Sequence, residues 1–199
     1  MTHHLTSSRT SPSRAPARPV RAIALAVLLA AGTWALATQD ARAAQWQVST
    51  GIGDRASIKK VGFGLVWDSH APLWQGQLWQ VRLLHEVQLG YWDVPRAKNI
   101  LEVGYSPFFR LQRGTVSAGG WTPFIEASIG VRAISHTRLD SDITMSTAFH
   151  FSDTLGAGIQ FGNQMQSTIG VRFQHLSNAG IKRPNPGINF TQLYYQQSF

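Results

Sequence analysis

A histidine and a serine two positions apart stand near the end of an alternating segment, at His175 and Ser177. In a β-strand, residues at this spacing project from the same face, about 7 Å apart along the chain. A serine hydroxyl becomes an effective nucleophile when a neighbouring imidazole takes its proton, and the pair is then able to attack an ester. Taken alone, the pair is more often a pair of polar side chains at the end of a strand.

The elements that must position this pair are predicted to be β-strands. From Trp46 onward, apolar residues recur with period two, which is strand periodicity. The clearest face carries Trp79, Val81, Leu83, His85, Val87, Leu89 and Tyr91. Similar segments include 101–110, 125–132 and 155–161, and shorter ones lie near 46–53, 58–68, 165–177 and 188–199. They predict eight strands of the length that crosses a membrane when tilted.

The polar face of these segments is predicted to line the inside of a closed barrel. It carries Glu86, Glu102, Glu126, Arg82, Arg110, Arg132 and Arg172. Charges of both signs pair readily in the lumen of a small barrel, and we prefer this interpretation to a catalytic pair of carboxylates. A soluble lipocalin-like barrel is the alternative, with its apolar face inward around a ligand. We expect an all-β fold, an eight-stranded antiparallel up-and-down outer-membrane β-barrel.

Aromatic residues at the strand ends are expected to form the two interfacial girdles of such a barrel. They include Trp46, Trp67, Trp74, Trp92, Trp121 and Tyr195. Asp153 does not fit the pattern, because simple alternation places it on the lipid face of its strand. A bulge or an interfacial position is expected there.

The segment 1–43 is predicted to be a cleavable secretory signal. Four arginines precede an apolar run from Ala22 to Ala37, and Ala41 and Ala43 then offer a cleavage site. The run is shorter than the roughly 20 apolar residues of a membrane-spanning helix, which disfavours a single transmembrane anchor. We expect residues 44–199 to form the barrel domain.

Composition excludes several classes of function. The formal charge of +8 falls to +4 beyond residue 43, because five arginines and Asp40 lie before that point. The sequence contains no basic run with interleaved aromatic residues, so it gives no support for nucleic acid as a partner. Cysteine is absent, which excludes disulfides and a thiol nucleophile. Residues 44–199 also lack zinc-site spacing, a phosphate loop and a Gly-x-Ser-x-Gly elbow, so we expect no metal and no cofactor.

The segment from Gln174 to Asn189, QHLSNAGIKRPNPGIN, closely resembles the signature of the lipid A 3-O-deacylase (PagL) family, whose members are eight-stranded outer-membrane barrels. The resemblance implies that His175 is the catalytic base and Ser177 the nucleophile. It also implies that the oxyanion is held by donors in the following loop, in Asn178, Ala179, Gly180 and Asn185. The implied reaction hydrolyses the ester-linked acyl chain at position 3 of lipid A through an acyl-enzyme.

One position departs from the family pattern. The family's third catalytic residue is a glutamate twelve residues after the serine, and here that position is Asn189. Asparagine is able to orient an imidazole, but it cannot stabilise an imidazolium by charge. We therefore expect slower catalysis or another acid supplied by a loop, and we expect Asn189→Glu to raise the turnover number.

The implied substrate agrees with the predicted sidedness of the barrel. With both termini in the periplasm, the connection after Ser177 faces the outer leaflet, where lipopolysaccharide resides. Lys182 and Arg183 in that connection are candidates to bind the lipid A phosphates, although they fit solvated loop charges nearly as well. Two other functions stay open, a non-catalytic structural or adhesin barrel and a lipid A acyltransferase. The sequence also leaves open whether the barrel is a homodimer.

Overall fold

The computed structural model describes residues 44–69, 71–115 and 120–199. The predicted signal segment lies outside the described residues, so the division of the chain at residue 43 stays a prediction. No helix in the described part of the chain is long and apolar enough to cross a membrane. The strands are β1 (Gln45–Gly53), β2 (Lys59–Asp68), β3 (Trp74–Gln75), β4 (Trp79–Asp93), β5 (Ile100–Arg113), β6 (Trp121–Ile134), β7 (Phe149–Phe161), β8 (Ser167–Ser177) and β9 (Ile188–Ser198).

Antiparallel pairing closes these strands into a barrel. Each strand from β4 to β8 pairs with the next, β9 pairs with β1, β1 with β2, and β2 with β4. The two-residue β3 continues the line of β2 beside β4, with Trp74 opposite Val81. Eight long strands therefore surround the axis in the described part of the chain, and the predicted eight-stranded antiparallel barrel is confirmed.

The strand connections divide between the two rims of the barrel. Gln45 lies opposite Ser198, so the first and last strands meet the described termini at one rim. The β1–β2, β4–β5, β6–β7 and β8–β9 connections lie at the other rim, beside the end of β8 that carries His175 and Ser177. We call this second end the site rim. Here the first and the last connections come together, because β1 and β9 are neighbours.

The outer and inner faces of the wall have the predicted polarity. Large apolar side chains such as Leu89, Leu101, Ile129 and Leu155 are exposed on the outside. Inside, buried charges form one network of ion pairs: Lys60–Glu102, Arg132–Glu102, Arg132–Glu86, Arg172–Glu86, Arg172–Glu126 and Arg110–Glu126. The luminal interpretation is confirmed for the three glutamates and for Arg110, Arg132 and Arg172, whereas Arg82 is partly exposed and pairs with Asp68 instead of joining this network. Sequence reasoning did not name the luminal cation Lys60, although alternation with the outward Val61 and Phe63 places it inside.

An apolar cluster fills the barrel interior at the site rim. It consists of Ile58, Trp92, Val94, Ile100, Ile134, Leu139, Met145, Leu176, Ile188 and Phe190, all buried. The interior is therefore polar along its middle and apolar beneath the connections. The prediction of Trp92 as an interfacial residue is wrong, because its ring is fully buried and packs edge-on against Phe190 at 4.8 Å between ring centroids. Leu176 and Ile188 fix the backbone on both sides of the β8–β9 connection.

Candidate active site

Strand β8 presents His175 and Ser177 on the outer wall of the barrel. The strand keeps its alternation to the end, with both residues partly exposed and Leu176 between them fully buried. Leu176 belongs to the apolar cluster, which holds the strand in this orientation. Across the wall, His175 lies opposite Asp153 on β7 and opposite Asn189 on β9. The two reactive side chains therefore point away from the lumen, as alternation predicts.

The imidazole of His175 is held at one of its two nitrogens. Its Nδ1 donates to Asn189 Oδ1 at 2.7 Å. Among the described residues, neither its Nε2 nor the Ser177 hydroxyl has a hydrogen-bond partner. The base and the nucleophile thus share a face without a direct hydrogen bond, a contact that in many free enzymes tightens only when substrate binds.

Asn189 is itself held by an aspartate from the β1–β2 connection. The side-chain Nδ2 of Asn189 donates to Asp54 Oδ2 at 2.6 Å, and the backbone N–H of Asn189 donates to Asp54 Oδ1 at 3.0 Å. Asp54, Asn189 and His175 thus form a continuous hydrogen-bonded chain. Sequence reasoning did not name Asp54, because it lies 135 residues from Asn189 and only the pairing of β1 with β9 brings the two together.

Asn178 organises the connection between β8 and β9. Its buried side chain donates to the Lys182 carbonyl at 2.8 Å and to Ser146 Oγ at 3.0 Å, and it accepts from the Gly180 N–H at 3.0 Å. Ala179 and Gly180 have positive φ angles of 52° and 78°, so the chain turns sharply here. The Asn178 side chain is therefore occupied by the loop that it shapes.

The predicted oxyanion segment contains donors that have no hydrogen-bond partner in the described part of the chain. Asn185 Oδ1 accepts from the Asn178 backbone N–H at 3.1 Å, which orients the Asn185 amide while its Nδ2 stays free. The backbone N–H of Ala179 is also free, whereas the N–H of Gly180 is already used. Within the predicted oxyanion segment, Asn185 and Ala179 are therefore the residues with donors available to a ligand.

The predicted phosphate ligands lie at the surface of the same connection. Lys182 and Arg183 are both exposed, and neither side chain has a hydrogen-bond or ion-pair partner among the described residues. The Lys182 carbonyl accepts from Ser146 Oγ at 2.7 Å, so the backbone is fixed while the ammonium group projects outward. Both cations are thus available to an anionic ligand at the site rim.

A groove of about 600 Å³ on the outer wall leads away from His175. Its apolar lining consists of Phe109, Ala127, Ile129, Leu155 and Phe173. Asp153 also lines the groove next to His175, and the pairing of β7 with β8 runs through it without interruption. There is no bulge at Asp153, so of the two expected explanations for its outward position only an interfacial location remains.

Gly187 packs against the imidazole, and sequence reasoning did not name it as a residue of the site. Its φ is +63°, and a Cβ added to it would lie 2.9 Å from His175 Cε1 and 3.6 Å from Nε2. Gly187→Ala should displace the imidazole, and a shift of about 1 Å in a catalytic group lowers the rate by about 10²-fold. We expect a loss of kcat of that size with little change in KM, measured with the purified barrel on an ester substrate.

The control for this substitution is Gly120→Ala at the opposite rim. Gly120 also has a positive φ, +72°, but a Cβ added there meets no atom of the described residues within 4 Å. Both variants carry the same type of backbone strain, about 1–2 kcal/mol. Equal losses of activity in the two variants would show that strain, and not contact with the imidazole, is responsible.

Comparison with known proteins places the chain in a family. Residues 59–198 match the family model described as Lipid A 3-O-deacylase (PagL). The chain is 35% identical to the lipid A deacylase PagL of Pseudomonas aeruginosa over 136 residues, 67% of this chain and 74% of that protein. It is 32% identical to the lipid A deacylase PagL of Bordetella bronchiseptica over 174 residues, 83% of this chain and 90% of that protein.

A solved structure agrees with this assignment. The chain superposes on the crystal structure of the outer membrane enzyme PagL with a TM-score of 0.70 and 30% identity, covering 78% of this chain and 99% of that one. The match therefore extends over the whole barrel and not only over the segment around His175 and Ser177. On these grounds the chain belongs to the lipid A 3-O-deacylase (PagL) family, whose fold is an outer-membrane β-barrel.

Proposed function

We propose that this protein hydrolyses the ester that links an acyl chain to position 3 of lipid A. The observation that carries the proposal is the outward pair on β8, in which His175 has Nδ1 bound to Asn189 and Nε2 free on the same face as Ser177. An ester buried in a lipid leaflet reaches this face directly, since it need not enter the lumen.

The reaction follows from the roles of the two side chains. As His175 Nε2 takes the hydroxyl proton, Ser177 Oγ bonds to the acyl carbon and the carbonyl electrons move to oxygen. When this tetrahedral intermediate collapses, the bond to the sugar oxygen breaks, and the leaving oxygen receives the proton from His175. Water then attacks the acyl-enzyme with the same base, which releases a 3-hydroxy fatty acid and restores the serine.

The oxyanion of the intermediate requires donors near the carbonyl oxygen. We assign this role to Asn185 Nδ2 and the Ala179 N–H, because both are unpartnered in the described part of the chain and lie in the connection that follows Ser177. Each such donor lowers the barrier by about 3–4 kcal/mol in other serine hydrolases. Asn178 and Gly180 keep this loop in shape through their mutual hydrogen bond.

The positions of the rims support an orientation of the site toward the outer leaflet. With the termini of the barrel in the periplasm, the site rim faces the outer leaflet, where lipopolysaccharide lies. The apolar groove beside His175 then receives an acyl chain along the barrel wall. A single chain supplies every group in this mechanism, so the proposed chemistry does not depend on a homodimer.

The cations of the β8–β9 connection are proposed to bind the lipid A phosphates. Removing both charges in Lys182→Gln/Arg183→Gln should raise KM roughly tenfold and leave kcat unchanged, because the lost contacts are with the phosphates and not with the reacting ester. The measurement is steady-state hydrolysis of bisphosphorylated and dephosphorylated lipid A in mixed micelles. A control pair with the same charge change, Lys98→Gln/Arg138→Gln, lies in other exposed connections of the site rim. An equal KM change in both pairs, or none in the first, argues against phosphate binding at these two residues.

The proposed function is tested by mass spectrometry of lipid A after incubation with the purified barrel. A loss of one 3-hydroxyacyl group, with the free 3-hydroxy acid recovered, supports the deacylase. Lipid A that already lacks its acyl chain at position 3 should stay unchanged, which fixes the position. A gain of an acyl group when phospholipid is added would indicate an acyltransferase, and no change with a folded barrel would indicate a non-catalytic barrel.

A further inference from the structure

Asp54 fixes which way the side-chain amide of Asn189 points. A carboxylate only accepts hydrogen bonds, so the groups that face it must be N–H donors. Asn189 provides two, the backbone N–H at 3.0 Å and the side-chain Nδ2 at 2.6 Å. With Nδ2 directed to Asp54, the oxygen of the amide must lie on the opposite side, toward His175.

The orientation of this amide determines the tautomer of the imidazole. Asn189 Oδ1 accepts at 2.7 Å, so His175 Nδ1 carries the hydrogen and Nε2 presents its lone pair. Only this tautomer is able to take a proton from Ser177. The reversed amide would donate to Nδ1 and leave the hydrogen on Nε2, where it blocks the base.

We propose that Asp54 is a positioning residue of the active site, which sets the Asn189 amide and through it the His175 tautomer, and which contributes the negative charge that Asn189 lacks. The inference rests on the proposed function and extends that function by assigning the acid of the site to the β1–β2 connection. Asp54 acts through Asn189 and does not contact the substrate ester.

Another carboxylate near the imidazole does not take this role. Asp153 lies opposite His175 on β7, but it makes no hydrogen bond to His175 or Asn189 among the described residues. On β9, the position opposite His175 is Asn189, and its amide reaches Asp54. The hydrogen-bonded route from a carboxylate to the imidazole therefore runs through Asn189 alone in the described part of the chain.

This arrangement changes the expectation for Asn189→Glu. With Asp54 in place, a glutamate at 189 would bring two carboxylates together where the present contact is 2.6 Å, and like charges at this distance repel. The higher turnover expected from the sequence should therefore appear only when the charge at position 54 is removed as well. The double variant Asp54→Asn/Asn189→Glu moves the carboxylate from the loop to β9.

Kinetics of the four combinations test the proposal. We expect Asp54→Asn to lower kcat about tenfold to 10²-fold with little change in KM, because the new amide no longer fixes Asn189. Asn189→Glu alone should give no gain, and the double variant should return kcat at least to the parent value. Asp142→Asn removes an exposed charge from another connection of the site rim and should keep parent kinetics. Parent-like kcat in Asp54→Asn, or a folded double variant no faster than Asp54→Asn, would overturn the proposal.

A spectroscopic measurement separates this proposal from the proposed function. Nitrogen-15 shifts of the imidazole report which ring nitrogen carries the hydrogen, and loss of the signal in His175→Gln assigns it. We expect hydrogen on Nδ1 in the parent barrel and a shift of population toward Nε2 in Asp54→Asn. This result supports the role of Asp54 even if lipid A is not the substrate, whereas an unchanged tautomer contradicts it even if the protein is a deacylase.

Discussion

Replacing Ser177 by alanine is expected to lower kcat for ester hydrolysis by roughly 10⁴–10⁶-fold, the range seen when serine hydrolases lose a catalytic residue. The hydroxyl lies on the outer wall and has no hydrogen-bond partner among the described residues, so its removal breaks no contact of the fold. KM should change little, because the substrate surface around position 177 is otherwise kept. The rate at which the deacylated product forms should fall by the same factor.

Two measurements check this result. The first is release of 3-hydroxy acid under single-turnover conditions, and the second is covalent labelling by a fluorophosphonate, which requires an activated serine. Ser141→Ala, an exposed serine in another connection of the site rim, is the matched control and should match the parent in both. A folded Ser177→Ala barrel that keeps more than about a tenth of the parent rate would exclude Ser177 as the nucleophile.

The barrel was predictable because a membrane wall exposes its two faces to opposite surroundings. On β4, Leu89 and Tyr91 are exposed and Glu86 and Gln88 are buried, as their alternation in the sequence requires. The same rule carries through β8 to its last residues, and it therefore placed His175 and Ser177 on the outside. Strand bounds agreed within a few residues at the segments near β1, β2, β8 and β9.

The end of the barrel at the site rim was not predictable from alternation. There the inward positions are apolar. Leu139 and Met145 join the apolar cluster from the β6–β7 connection, whose sequence has no regular alternation of apolar and polar residues. Trp92 has the residue type of an interfacial girdle, but its indole N–H donates to Glu102 at 2.8 Å inside the barrel. Trp92 was misplaced by its residue type, since alternation puts it on the inward face with Glu86 and Gln88. The packing of Leu139 and Met145 depends on which connections meet in the closed barrel.

The candidate site also contains residues that the sequence predicts and one that it does not. His175, Ser177 and Asn189 share a local pattern and a known family signature, so the sequence named them together. Asp54 carries no local signal, since a single aspartate after a strand is common in turns. Its relation to Asn189 arises from barrel closure, where Gly53 lies opposite Phe190 in the β1–β9 pairing. The loop acid that the sequence left unnamed thus required the tertiary structure.

A large effect on stability is expected inside the barrel, at Glu126. This buried carboxylate accepts from Arg110 Nη2 at 2.8 Å, from Arg172 Nε at 2.7 Å and from the Tyr194 hydroxyl at 2.8 Å. Glu126→Gln removes the charge that two guanidinium groups share and turns amide donors toward them. Removing one partner of a buried ion pair costs about 3–5 kcal/mol, so we expect the free energy of unfolding to fall by that amount.

Urea unfolding in lipid vesicles, followed by tryptophan fluorescence, measures this loss, and Arg96→Gln provides the contrast. Arg96 pairs with Asp140 at 3.2 Å, but its side chain is 67% exposed, and an exposed pair contributes less than about 1 kcal/mol. A loss of unfolding free energy in Glu126→Gln no larger than that in Arg96→Gln would contradict the prediction. It would show that water or relaxation of the barrel compensates the charges of Arg110 and Arg172. Arg172 lies on β8, three residues before His175, so the luminal network and the outer site share one strand. The destabilised Glu126→Gln barrel should therefore also stop hydrolysing its substrate at a lower temperature than the parent.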